Sequence, residues 1–340
     1  MRFVRFDRAP VVLGAGVLTP CGIGAGSIVG VGNAEDAMGQ AVEVDLAGVC
    51  GVSKGRFRRM DRYSALGFSA AHLALTAAGW VPEGKADPRW GVVLGSDLGC
   101  SSSNALYLRD LLKKRTSELS PAVFARTVPN AVNGEISIAF RIGGVNETFV
   151  SGWAAGAEAM IAACTALAEG RVRRVLTGAV EAPDSILRRI HVARRCLPGM
   201  DWLPGGIVEA AGICTLAASG GPGDSLGTLQ GYGRIHDPRK RWSLAEAIEE
   251  FHRLPIGSVI VANTVPSDLA RRWRNDANGI PLIELSRLVG ELGAAGAPIA
   301  VAFSEASSLS AERNHGTLVI ARGVDGGTVV LVLGPRRAQC

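Results

Sequence analysis

Seven cysteines (21, 50, 100, 164, 196, 214 and 340) and five histidines (72, 191, 236, 252 and 315) are the side chains best suited to nucleophilic, acid–base or metal chemistry. Their spacing supports none of the simple arrangements. Neither a C-x-x-C pair nor an H-E-x-x-H pattern occurs, so a zinc site has no ligand set. An odd number of scattered cysteines makes no disulfide framework, and they read as reduced, mostly buried apolar groups. Cys164 falls in an Ala-rich stretch that reads as a buried helix, where a thiol packs rather than reacts. Cys100, in DLGCSSS, follows a strand and is the thiol that could face a pocket; a plain loop cysteine is the simpler reading. Ser151, in V-S-G-W, lacks the G-x-S-x-G elbow and reads as a turn serine. His72 lies within an apolar helical pattern and reads as a packing residue. The Gly-rich GVDGGT at 323–328 precedes a strand rather than a helix, which argues against a phosphate cradle.

The elements that must position such residues alternate along the chain. Short apolar runs at 11–14, 91–95, 148–151 and 174–178 read as strands, and helical patterns at 64–78 and 154–169 end at Gly79 and Gly170, the left-handed positions that close a helix. Strand followed by helix, repeatedly, predicts a layered α/β fold with strands buried on both faces. The second half repeats the pattern, with strands at 213–218, 228–232 and 258–262 and helices at 243–252 and 294–307. Ser243 and Glu246 form the S-x-x-E box that fixes a helix start. The last two strands, 317–321 and 328–333, predict a hairpin. Residues 219–224, rich in Gly, mark the best boundary between halves.

Composition narrows the field. The 340 residues are 47% hydrophobic and 20% charged, which excludes coiled coil, collagen and wholesale disorder. The uncharged stretch 9–34 is long enough for a membrane span, but its many glycines, Pro10 and Pro20 make it strand and loop. The opening lacks the compact apolar core of a secretory leader, and a cytoplasmic protein is expected. A net charge of +5 permits an acidic partner without naming one.

Several segments, in order, resemble the β-ketoacyl synthase family of the thiolase-like superfamily. VVLGAGVLTPCGIG is similar to that family's first strand and Gly-rich loop, and RMDRYSALGFSAAHLALTAAGW to its Arg-Met-Asp-Arg segment and helix. GVVLGSDLGCSSS and VPNAVNGEISIAFRIGG follow in the family's order. SGWAAGAEAMIAACTALAEGRVRRVLTGAVEA resembles the nucleophile elbow, buried helix and next strand; GELGAAGA and GVDGGTVVLVL resemble the two C-terminal glycine motifs. The resemblance implies a thiolase-like α/β fold of two duplicated halves in five layers (αβαβα), divided as residues 1–220 and a shortened 221–340. It also implies a dimer with an acyl tunnel, served by an acyl carrier protein whose phosphopantetheine brings the chain, with no further cofactor and no metal.

The family's chemistry needs a cysteine at a helix N-terminus and two histidines that donate to the carbonyl on which decarboxylation builds charge. Matched to those positions, this sequence offers Trp153, Asn263 and Glu291, or Gly290 in place of Glu291 if no gap is allowed. An indole cannot carry an acyl group, an amide cannot shuttle a proton, and a carboxylate repels an oxyanion. The family's Gly-Phe-Gly-Gly gate has Val324 or Asp325 where its Phe belongs. Loss of all three groups resembles the chain length factor, the silent β subunit of type II polyketide synthases, although the usual replacement there is glutamine; the short length leans toward systems making aryl polyenes or other reduced polyenes.

The expected function is therefore a non-catalytic subunit of a 3-oxoacyl-[acyl-carrier-protein] synthase. It would form a heterodimer with an active ketosynthase, Trp153 occluding its own acyl pocket and the shared tunnel limiting chain length. The alternatives are an acyltransferase or thioesterase acting through a serine or Cys100, and a structural homodimer. Basic clusters at Arg56, Arg58, Arg59 and Arg62, at Arg171, Arg173 and Arg174, at Arg188, Arg189, Arg194 and Arg195, and at Arg239, Lys240 and Arg241 each read first as solvated surface. The first and last of these four are the candidates for docking the acidic carrier protein. Nucleic-acid binding lacks both interleaved aromatics and a known module.

Overall fold

The computed structural model describes residues 2–29, 41–80, 84–197, 200, 203, 206–218, 226–235, 243–250, 254–307, 315–325 and 327–334. The first half runs β1 (Arg2–Arg5), β2 (Val11–Thr19), β3 (Gly22–Ile23), α1 (Leu46–Cys50), α2 (Lys54–Phe57), α3 (Arg62–Ala77), β4 (Trp90–Ser96) and α4 (Ser101–Lys113). It continues with α5 (Pro121–Phe124), α6 (Ala131–Phe140), β5 (Asn146–Val150), α7 (Ala155–Ala168), β6 (Arg174–Glu181), α8 (Ser185–Arg195) and β7 (Ala210–Ala217). The second half holds β8 (Gly227–Ile235), α9 (Leu244–Glu250), β9 (Ile256–Val261), α10 (Ser267–Asp276), β10 (Leu282–Glu284), α11 (Ser286–Val289), α12 (Gly296–Ala306), β11 (Gly316–Arg322) and β12 (Thr328–Gly334).

Duplication is visible in the strand order. One half is ordered β5-β4-β6-β7-β2 and the other β10-β9-β11-β12-β8. Counting strands from β2 and from β8, with the two-residue β3 left out, both are third-second-fourth-fifth-first. Directions match as well: β4 is parallel to β5 and β6, as β9 is to β10 and β11. The β6–β7 and β7–β2 pairs are antiparallel, and so are β11–β12 and β12–β8. A short antiparallel contact, Val11 and Val12 of β2 against Thr228 and Gly227 of β8, joins the halves. The chain crosses from one half to the other between β7 and β8; the Gly-rich boundary at 219–224 lies outside the described residues. β1 departs from the expected division, since it pairs with β8 and so adds an N-terminal segment to the second half's strands.

Alternation along each strand sorts side chains into three cores, because successive residues face opposite sides. Val92 and Leu94 of β4 join Leu66, Phe68 and Ala70 of α3 in one outer core, whereas Val93 faces the centre. Leu318 and Ile320 of β11 meet Ala270 and Trp273 of α10 in the other outer core, while Val319 and Ala321 face the centre. The central core is built on α7 and α12, with Met160, Cys164, Ile299 and Phe303 all buried. Helix, strands, two helices, strands and helix again make the five layers.

Local sequence explains the boundaries. The Asp61 carboxylate accepts the Ser64 N–H at 2.8 Å and starts α3. Ser243 and Glu246 bond reciprocally at the head of α9, at 3.1 and 3.3 Å; the expected end of that helix, His252, lies outside the described residues. The terminal hairpin forms, with Arg322 opposite Thr328.

Two glycines bring the layers together at the head of α7. A Cβ at Gly95 of β4 would strike the Ala155 carbonyl, with the Gly156 nitrogen only 2.7 Å away. A Cβ at Gly156 would strike the Ala294 carbonyl and lie 3.0 Å from both Ala179 and Pro298. Replacing Gly156 by Ala therefore pushes backbone against backbone, and thermal denaturation followed by circular dichroism should show a loss of about 1–3 kcal/mol. An unshifted midpoint would show that α7 does not need this close approach.

Candidate functional site

The chain enters α7 through a tight turn, Gly152–Ala154, whose middle residue is Trp153. The indole is fully buried. Its ring lies 5.6 Å from that of the buried His191 on α8, tilted by 32°. Its N–H faces the Asp97 side and favours the ionised carboxylate there, without meeting full hydrogen-bond geometry. Asp97 follows the last residue of β4, and its carboxylate lies 3.5 Å from the Arg194 guanidinium of α8. The last residue of β6, Glu181, accepts the Asp97 backbone N–H at 2.6 Å and the Ala294 N–H at 3.3 Å. Burial raises the Glu181 pKa well above the usual carboxylate range, and the nearby Asp97 charge adds to the effect. Burial also raises Asp97, opposed by Arg194 and Trp153.

The two positions expected to hold histidines meet each other. Asn263, two residues beyond the end of β9, donates its amide to Glu291 at 3.0 Å and to the Gly293 carbonyl at 2.8 Å. The Glu291 carboxylate also accepts the N–H groups of Thr264, at 2.8 Å, and Gly293, at 3.0 Å. Burial raises its pKa while these donors lower it. Both hydrogens of the Asn263 amide are used internally, so neither is left to stabilise an oxyanion. Glu291 presents only acceptors when ionised. Gly290, the ungapped alternative, is a turn residue with φ 87°. The turn Gly293–Ala295 touches both the Trp153 turn and β6, so all three family positions converge on it.

Val324 and Asp325 sit in the turn between β11 and β12, where Asp325 accepts the Gly327 N–H at 3.0 Å. Asp325 also lines a cavity of about 310 Å³ with Ser151, Ala154, Glu158, Arg234 and Thr328. Glu158 pairs with Arg234 inside it. Ser151 is exposed there, and among the described residues no histidine lines the cavity. Cys100 is buried at the head of α4, where the Asn104 amide donates to its sulfur at 3.6 Å and burial raises the thiol pKa. Cys164 is buried within α7, and desolvation pushes it up further still. His72 is half-buried against Phe140, at 6.2 Å between rings. Among the described residues no group of three metal-ligating side chains assembles.

The basic cluster nearest α3 divides. Arg62 is bound to Glu209 at 2.7 Å, and both residues also hold the backbone of Val42, so this arginine is committed within the fold rather than free for a carrier protein. Arg56 lies over the Phe68 ring at 4.9 Å and 3.6 Å from Glu135. Arg58 and Arg59 remain exposed. Arg239, Lys240 and Arg241 lie outside the described residues.

Sequence reasoning gave no role to Asp97, Glu181 or Glu209, and placed His191 and Arg194 only in inventories. The available signal was a carboxylate ending an otherwise apolar run, in GVVLGSD and in VLTGAVE. Beside this cluster an open apolar groove of about 610 Å³ runs between α4 and α8, lined by Leu98, Ala105, Leu108, Leu112, Ile186 and Ile190. Leu112 is 87% exposed, so the groove is unfinished in the isolated chain.

The comparisons agree with this geometry. Residues 35–194 match the family model of the beta-ketoacyl synthase N-terminal domain. The 3-oxoacyl-[acyl-carrier-protein] synthase 2 of Rhizobium meliloti (strain 1021) is 29% identical over 127 residues, 37% of this chain and 30% of that protein. The corresponding protein of Staphylococcus aureus is 29% identical over 133 residues, 39% and 33% of the two chains. The match thus spans about a third of these curated relatives. Among solved structures, the ishigamide ketosynthase/chain length factor superposes with a TM-score of 0.73 at 21% identity, covering 96% of this chain and 99% of that one. A type II polyketide synthase complex of acyl-carrier protein and ketosynthase, AntDE:AntF, gives 0.81 at 18% identity over 98% and 100%. A β-ketoacyl synthase from Burkholderia phymatum STM815 gives 0.72 at 16% over 97% and 100%. The fold is that of the thiolase-like ketosynthases. Residues 35–194, just under half of the chain, carry the sequence likeness to the β-ketoacyl synthase family. Among the described residues no helix is long and apolar enough to cross a membrane.

Glu181 generates a pH prediction. Its folded-state pKa lies above the ordinary 4.5, so the neutral acid's contribution is complete below that value and is lost as pH rises through the folded one. Glu181→Gln keeps the carbonyl acceptor for Asp97 and Ala294. Urea denaturation of the two proteins should coincide at about pH 4 and diverge toward pH 8, with the variant the more stable. Equal midpoints throughout would show that the carboxylate is not penalised by burial.

Proposed function

We propose that this chain is a catalytically silent ketosynthase-like subunit of the chain length factor type, which pairs with an active β-ketoacyl synthase and shapes the tunnel for a growing acyl chain. The observation that carries this reading is Trp153. A fully buried indole occupies the head of α7, where the family's chemistry needs a thiolate. The supporting positions are equally unsuited, because the Asn263 N–H groups and the Glu291 carboxylate are spent on each other and on nearby backbone.

Two surfaces fit a partner subunit. β5 ends the sheet, pairs only with β4 among the described strands, and exposes Val150. The groove between α4 and α8 leaves Leu108, Leu112, Ile186 and Ile190 partly in water, and a second subunit would close it into a tunnel. The chains of two neighbours, a ketosynthase/chain length factor and a carrier-protein complex, share this fold. In this reading a cytoplasmic carrier protein brings the polyene or polyketide chain on its phosphopantetheine, and the exposed Arg58 and Arg59 are the candidates for docking it. No cofactor or metal takes part. A non-standard nucleophile is disfavoured, since Cys100 is buried with a raised pKa and the Glu158 carboxylate in the cavity of exposed Ser151 is paired with Arg234.

Reconstitution tests the reading. The isolated chain should show no covalent adduct by intact mass after exposure to an acyl carrier protein thioester and should not decarboxylate malonyl carrier protein; adding its partner ketosynthase should give elongation. An adduct or turnover from the chain alone would overturn the proposal.

Trp153→Ala should cost about 3–5 kcal/mol by opening a cavity, and the reconstituted pair should make a shifted distribution of chain lengths. Trp153→Leu provides a milder variant should the first fail to fold. An unchanged distribution from a folded variant would remove Trp153 from the shaping role.

A further inference from the structure

Helix α8 is attached unusually for an element beside a buried site. It has 11 residues and no extended backbone packing against any described helix or strand. Ile186, Ile190 and Val192 are each more than two-fifths exposed. Two side chains nevertheless reach deep into the molecule. His191, 3% exposed, lies against the Trp153 ring, and Arg194 extends to the Asp97 carboxylate. The same helix supplies Ile186 and Ile190 to the groove, the latter adjacent in sequence to His191. Asp97 in turn is adjacent to Leu98, a residue of the groove floor. His191 and Asp97, which take part in holding α8, are thus each one residue removed from a residue that shapes the groove.

We propose that α8 is an adjustable wall of the groove, and that Asp97, Arg194, His191 and Trp153 form the catch that fixes its position. These are positioning residues: they act on an acyl chain only through Ile186, Ile190 and Leu98. The physical basis is an imbalance of attachments. A helix with little backbone packing opens at low free-energy cost unless side chains hold it. The Arg194–Asp97 pair is such a hold, because Asp97 is 8% exposed and loses its charge partner when the arginine leaves. Glu181 accepts the Asp97 backbone N–H and so fixes the end of β4 from which the Asp97 carboxylate reaches Arg194. His191 supplies an aromatic contact at the other end of the same turn, and i, i+3 spacing places it with Arg194 on one face of the helix. Trp153 thus fills the site and anchors the wall beside it.

Hydrogen exchange on the full chain tests the catch without reference to function. In Arg194→Gln and Asp97→Asn, amides of residues 185–195 should exchange about tenfold faster than in the parent, with those of α7 and β4 unchanged. Arg194→Lys, which keeps the charge, should recover most of the protection. Unchanged exchange in both neutral variants overturns the catch, as does equal loss across α7 and β4, which would mark general destabilisation. The wall role rests on the proposed function and is read separately. With the partner ketosynthase, Arg194→Gln should broaden the product lengths and Arg194→Lys restore them; loosened α8 amides with unaltered products overturn the wall. A parent pair that fails to elongate refutes the proposed function, while the exchange data still decide the catch.

Discussion

A ring with no exposed surface at the head of a central helix must be enclosed by walls from every side, and that enclosure organises this part of the molecule. Trp153 is surrounded by the end of β4 with Asp97, by α8 with His191 and by the turn Gly293–Ala295. The enclosure requires backbones to approach closely, which is why Gly95 and Gly156 stand where any Cβ would collide with a carbonyl. It also removes water from the strand ends. Each carboxyl there must then find protein donors or remain neutral. Glu291 finds three N–H groups, Asp97 an arginine, and Glu181 two backbone N–H groups within a strongly desolvated setting.

The duplicated architecture makes this convergence possible. In each half the parallel strands end on the same side, so β4 and β6 bring Asp97 and Glu181 together, while β9 brings Asn263 from the other half. The central helices α7 and α12 lie between the strands of both halves, and their heads face the same buried space. A site assembled this way draws on residues far apart in sequence. Asn263 and Glu291 are 28 positions apart, and Glu181 and Ala294 are 113 apart. Their spacing carries no local motif, because the topology rather than the chain segment joins them.

That distinction explains what was legible in the sequence. Strands at 174–178 and 258–262 and the helix at 154–169 follow from local periodicity, with Gly170 at φ 71° closing the helix as expected. The hairpin and the S-x-x-E start are local as well. β6 runs beyond the expected strand to Glu181 because Ala179, Val180 and Glu181 pair with Gly212, Ala211 and Ala210 of β7, partners invisible to periodicity. Helix α8 escaped notice for the complementary reason: its amphipathic arginine-rich sequence reads as a solvated charge run until His191 and Arg194 are seen to face inward. Arg62 resembles its exposed neighbours in sequence, yet Glu209, 147 positions away, makes it an internal tie.

Under the proposed function, shape and reactivity separate in this chain. The features that define the ketosynthase shape are retained: two halves with one strand order, a buried helix pair, glycines at the close contacts and an apolar groove beside the helix head. In that reading the groups that would carry charge in a transition state are exchanged for an indole, an amide and a carboxylate, the last two bonded to each other. A donor such as imidazole must be kept unspent to serve a substrate, so preorganisation for catalysis leaves hydrogen-bonding capacity open in a dry site. Here Asn263 and Glu291 close that capacity, and Trp153 fills the volume. In this reading the site's groups serve its own fold, and the apolar groove between α4 and α8 is the open surface left for an acyl chain.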